Sequence, residues 1–215
     1  MVRVAVLCSS VLLGAEAIAA QTPPPAMPLF DGVSLAGWEP GDFQPSGEVV
    51  VRDGSVVLSA GDPLTGITYA NEFPRDNYEV VVEARRVAGS DFFATITFPV
   101  RDDYCSLVVG GWGGRVVGLS SLEGADASQN ETTRWMPFED GRWYRVRLRV
   151  SDGRIFASVD DEPVVDLMHE GRLLSPRIEV LPSRPFGIAT WNTTAEIRRI
   201  ELRPAGGAPA ERAGP

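Results

Sequence analysis

The sequence predicts an all-β protein built as two stacked antiparallel sheets, a jelly-roll-like sandwich. Three observations carry this. Apolar residues alternate or come in short bursts, never at a sustained helical period. Gly, Pro, Asn or Asp interrupts them about every ten residues. Asp-Gly pairs also sit between alternating runs, the strongest short hairpin signal.

Val49–Arg52 and Ser55–Ser59 flank Asp53-Gly54. In Tyr78–Arg86, Tyr78, Val80, Val82 and Ala84 face one way and Glu79, Val81, Glu83 and Arg85 the other. Phe92–Arg101 alternates up to Pro99, which suggests a strand end or bulge. Ser106–Val109 and Val116–Leu119 enclose Gly110-Gly111-Trp112-Gly113-Gly114. Trp143–Ser151 is the cleanest strand, with Tyr144, Val146, Leu148 and Val150 opposite Arg145, Arg147 and Arg149. Arg154–Val159, Pro163–Leu167, Phe186–Trp191 and Ala195–Leu202 complete the set. Three arginines on one strand face repel unless a partner answers them. Glu79 and Glu83, or Glu196 and Glu201, have spacing suited to a charge ladder; plain solvation is the alternative.

Residues 1–20 have the pattern of a secretion signal: Arg3, the apolar stretch Val4–Gly14, and Ala17-Ile18-Ala19. The apolar stretch is too short to span a bilayer. The expected product is secreted or periplasmic, with no membrane partner. Residues 21–27 form a proline-rich tether, 28–203 one sandwich domain, and 204–215 a fraying Ala/Gly/Pro tail. The net charge of −9 and well-mixed charges argue against nucleic acid as a partner.

Beyond the leader, Cys105 is the only cysteine, so neither an intramolecular disulfide nor a cysteine zinc cluster is available. It is expected to be a small buried side chain. The chain contains no lysine and one histidine, His169, so acid–base work falls to carboxylates, His169, tyrosines or Cys105. His169 is expected in an exposed turn. Asp160-Asp161-Glu162 could suit calcium but also fits an ordinary turn, and the turn is the expectation. No residue pattern identifies a metal site or a cofactor.

Trp112, alone among glycines, has little beside it to cover its ring and could stack on a sugar; alternatively it folds back onto the core. The polar loop that follows contains Asn130-Glu131-Thr132-Thr133, which could serve a site or satisfy its own backbone. Glu79 and Glu83 would stand about 13 Å apart, too far for an ordinary glycosidase pair on one strand.

Leu29–Trp38, LFDGVSLAGW, resembles the opening motif of the 3-keto-disaccharide hydrolase family. Asp76-Asn77-Tyr78-Glu79, Gly141-Arg142-Trp143-Tyr144, Pro185-Phe186-Gly187-Ile188 and Ile197–Leu202 are similar to further segments of it. In the opening motif, Asp31-Gly32 suits a tight turn and Trp38 a core anchor. The resemblance implies a concanavalin A-like jelly roll, exported, with carbohydrate as its partner. Members cleave glycosides oxidised at C3: a base removes the acidified C2 hydrogen, the C1 group leaves, and water adds to the enone. For that chemistry the candidates here are Glu131 first and Asp102 second as catalytic carboxylates, with Asp103 beside it. Trp112, Arg101, Asn130 and Thr97 are the candidates for holding sugar. Where typical members carry Gly-Asn-Ser-Gly and Tyr-Glu-x-Gln pocket stretches, this chain has Gly89–Ile96 and Tyr104–Leu107. A non-catalytic carbohydrate-binding module is therefore the alternative reading.

Overall fold

A computed structural model describes residues 25–205. The first strands are β1 (Met27–Pro28), β2 (Trp38–Pro40), β3 (Val49–Arg52), β4 (Ser55–Leu58) and β5 (Leu64–Tyr69). Then come β6 (Tyr78–Gly89), β7 (Thr95–Val100), β8 (Asp103–Gly110), β9 (Val116–Ser120) and β10 (Arg134–Trp135). The last are β11 (Tyr144–Ser151), β12 (Arg154–Val159), β13 (Glu162–Met168), β14 (Gly187–Trp191) and β15 (Thr193–Pro204). One sheet runs β13-β12-β11-β6-β15-β4-β3, with β1 added on β15; the other runs β10-β9-β8-β7-β14-β5-β2. The leader read in residues 1–20 and most of the proposed tail lie outside the described residues. Met27, placed in the tether by its neighbours, pairs with Leu202 as the start of β1.

The alternation read in the sequence builds the core. Val80, Val82, Val146 and Leu148 of the first sheet meet Ile96, Phe98, Leu107, Leu119 and Ile188 of the second, all fully buried. Cys105 lies among them, and burial pushes its thiol up to about 12, so it stays protonated. Trp38 closes one end: its indole N–H donates to the Leu29 carbonyl at 2.8 Å. Asp31 accepts from the Val33 and Ser34 amides, and Gly32 supplies the left-handed residue of that turn (φ 79°).

On the outer face of the first sheet the charge ladder forms. In the register of β11 with β6, Arg145 stands opposite Glu83 and Arg149 opposite Glu79. Arg147 of β11 lies 3.6 Å from Glu79, and from the other side Arg203 of β15 bonds it. A bulge at Arg199 (φ 50°) sets two arginines against one acid: Arg198 reaches Glu83 at 2.8 Å and Arg199 reaches it at 3.2 Å. Asp160 and Asp161, at the β12–β13 turn, are taken up by Arg142, Arg145 and Arg147. Glu79 is 12% exposed and joins two strands, so Glu79→Gln is expected to cost about 2 kcal/mol in urea unfolding.

Candidate active site

The outer face of the second sheet is unlike the first. Along it run small residues: Thr95 and Thr97 on β7, Ser106 on β8, Gly118 and Ser120 on β9, Gly187 and Ala189 on β14. They are small because chain packs directly over them. A Cβ on Gly187 would lie 2.7 Å from the Ser183 carbonyl, and Ser183 belongs to a 3-10 turn, Ile178–Ser183. Val180 of that turn packs with Val108, Ala189, Phe43, Leu64 and Phe92. Beneath it, Thr97 is fully buried and its hydroxyl pairs with Ser106 at 3.0 Å. Thr95 Oγ1, Ser183 Oγ and Arg177 Nε are buried without a hydrogen-bond partner among the described residues.

At one end of this face the aromatic residues gather. Gly110, Gly113 and Gly114 take left-handed φ values of 78°, 78° and 84°, and Trp112 is held there too, at φ 48°. This is why the hairpin is built of glycine: an L side chain at such a position is strained. The one residue that accepts the strain carries the indole. Trp112 is half-buried against the Val180 cluster, neither sealed inside nor bare. The Arg177 guanidinium lies 5.1 Å from the Trp112 ring and 5.8 Å from the Trp191 ring, between the two. Arg177 also pairs with Glu179 at 2.8 Å and Asp126 at 3.4 Å. Beyond Trp191 opens a cleft of about 470 Å³, lined by Asp42, Phe43, Asp62, Glu179, Leu181 and Trp191 among others.

The cleft thus combines an indole, a carboxylate fixed by an arginine, and two exposed carboxylates. That chemistry suits a polyhydroxylated ring with one face of C–H bonds. Two smaller hollows on the other sheet, about 300 and 200 Å³, flank Trp143. There the ring is covered by Arg85 at 4.6 Å and Arg198 at 4.1 Å, leaving little face for a ligand.

The residues singled out in the sequence fall in several places. Trp112 is in the cluster. Asp126, from the same polar loop as Glu131, reaches it through Arg177. Glu131 itself is exposed and bonds Arg172 at 2.8 Å, an arginine shared with Glu123. Glu131 stands beside the Leu119 end of β9, about 10 Å along the strand from the Val116 end near Trp112. Asn130 is spent on its own loop: its amide donates to the Leu119, Ala125 and Asp126 carbonyls, and its oxygen accepts from Thr132. Arg101 and Asp102 occupy the β7–β8 turn, at the opposite end of β8 from Trp112 and about 25 Å away. Arg101 pairs there with Asp76 at 3.2 Å.

His169 differs from its expected exposed turn. It is buried, and its amide donates to the Gly153 carbonyl at 2.9 Å. Burial, and then the Arg101 charge, hold it below the ordinary imidazole range. Arg177, Glu179, Asp42, Asp62 and the site role of Trp191 are not among the residues that the sequence singles out. Trp191 was legible as the end of a strand; the others come from loops whose meeting is set by packing.

Comparison with curated protein sequences gives no match. Among solved structures, the Crh5 transglycosylase in complex with NAG is 13% identical, covers 85% of each chain and has a TM-score of 0.57. A Bacillus subtilis protein of unknown function with a galectin-like fold is 13% identical over 79% of this chain and 90% of that one, with a TM-score of 0.58. The carbohydrate-binding module CBM66 from Bacillus subtilis is 13% identical over 78% of this chain and 95% of that one, with a TM-score of 0.51. At such identities the likeness establishes the sandwich fold. A family profile described as a 3-keto-alpha-glucoside-1,2-lyase-like domain matches residues 25–203, nearly the whole described chain, and the protein belongs to that family.

Proposed function

We propose that the protein is a carbohydrate-active enzyme that cleaves 3-keto-glucosides in the cleft beside Trp191, with Glu179 as the base. The observation that carries this is the linkage of Glu179 and Trp191 through Arg177 at the wall of the cleft. A sugar stacked on the indole would present its C–H face there. The Glu179 carboxylate accepts the C2 proton, which the C3 ketone makes acidic. The electron pair left behind forms the C1–C2 double bond as the C1–oxygen bond breaks. The departing oxygen takes a proton from solvent admitted by the open cleft. Water then adds across the enone: its hydroxyl bonds C1, and Glu179 returns its proton to C2. The water's other proton goes to solvent, which restores both the carboxylate and the proton taken by the leaving oxygen. Arg177 holds Glu179 in place, and its charge favours the enolate that develops.

Incubating the purified chain with a 3-keto-glucoside and following loss of the ketosugar tests this. Trp191→Ala is expected to raise KM about tenfold through the lost stacking surface. An inert wild-type protein would overturn the catalytic reading.

The second reading is a non-catalytic carbohydrate-binding module. What favours it is that Glu179, like Glu123 and Glu131, is neutralised by an arginine partner. Sugar binding that is lost in Trp191→Ala, in a protein without turnover, would decide for it. Export is also proposed, from the leader pattern of residues 1–20, and is tested by finding the processed chain outside the cytoplasm.

A further inference from the structure

Strand β10 is only two residues long and forms the edge of the second sheet, where it carries Trp135, 69% exposed. A single exposed apolar side chain needs no explanation. The position of this one does. Trp135 is the cross-strand partner of Val116, so both side chains stand on the same face. Val116 belongs to the cluster that holds Trp112 and Trp191, which fixes that face as the one carrying the candidate site. Trp135 is also level with its aromatic end. Val116 bridges to Gly111, Trp112 follows directly, and the Met136 amide next to Trp135 bonds the Arg115 carbonyl at 2.8 Å. Across the sheet, β10 and β14 are separated by β9, β8 and β7, so Trp135 and Trp191 stand about 19 Å apart.

We infer that Trp135, Trp112 and Trp191 form one linear platform for an oligosaccharide built of glucose units, with the chain entering at Trp135 and ending in the cleft. This rests on the sugar site proposed above and extends it. A disaccharide in the cleft would reach no further than the Trp191–Arg177 wall. Trp135 therefore contributes only when the ligand is long enough to cross the sheet. The polar groups along the way, Arg177 and Asp126, are placed to bond ring hydroxyls between the aromatic stations.

The test is titration calorimetry with malto- and cello-oligosaccharides of increasing length, from disaccharide to hexasaccharide. In at least one series affinity is expected to rise with length. Trp135→Ala is expected to weaken hexasaccharide binding about tenfold while leaving the disaccharide unchanged. Trp191→Ala is expected to weaken every length. Because Trp135 is exposed, its alanine variant should keep the wild-type Tm, which separates lost binding from lost folding. Equal affinity at all lengths, no binding in either series, or a Trp135→Ala variant that binds hexasaccharide normally would overturn the platform. Length-dependent binding that needs Trp135, in a chain inert toward the ketosugar, would keep the platform and end only the catalytic reading.

Discussion

Glu179→Gln is expected to lower turnover of a 3-keto-glucoside by about a hundredfold or more, with little change in KM. Glutamine keeps an oxygen for Arg177 to bond, so the 2.8 Å contact and the sandwiched guanidinium can both survive. What is lost is the capacity to take a proton. The same change at Glu131 removes only an ion pair with Arg172 on an exposed loop, and should leave turnover near the wild-type rate. Single-turnover measurements on the two variants side by side would separate the carboxylates. Equal loss at both positions would return Glu131 to the site; loss at neither would overturn Glu179 as the base.

The second large effect is on stability. Asn130→Ala is expected to cost about 3 kcal/mol in urea unfolding. Asn130 spans its loop, bonding three carbonyls at 2.8–3.0 Å and receiving the Thr132 amide at 2.9 Å. Truncation leaves those backbone groups in a partly buried place with nothing to replace the amide. Thr132, whose hydroxyl accepts from the Leu119 amide, loses its own anchor at the same time. An Asn130→Ala variant of wild-type stability that failed to bind sugar would instead mark Asn130 as a ligand.

The strands with strong alternation were legible from residues alone. The arginine and aliphatic faces of β11 and the Glu79–Glu83 spacing of β6 pointed to a ladder, and the register places them side by side. Strand β5 was missed because Leu64–Tyr69 contains Gly66 and threonines where aliphatic residues would have marked it. Those small residues are the signature of a face with chain packed over it, which shows only once the overlying turn is in place. The 3-10 turn at Ile178–Ser183 has no period of its own and is shaped by what it covers.

The site was half legible for a related reason. The glycines around Trp112 correctly marked a left-handed turn, since that need is local. Which carboxylate would meet the indole depends on strands far apart in sequence. Glu131 is nearer in the chain, yet β9 runs away from Trp112 before its loop begins, while residues 177–179 return to the right end. Proximity in sequence pointed to the correct loop and to a different acid: Asp126 joins the cluster through Arg177.

The last strand is not an edge. β15 lies between β6 and β4 and also receives β1, so the last strand of the described residues is the keystone of its sheet. A nascent chain released before Thr193 would hold every other strand of that sheet and still be unable to join its two halves. Joining the two halves must therefore wait for Thr193–Pro204, and the long-range pairing it then requires belongs to the slow-folding class of topologies.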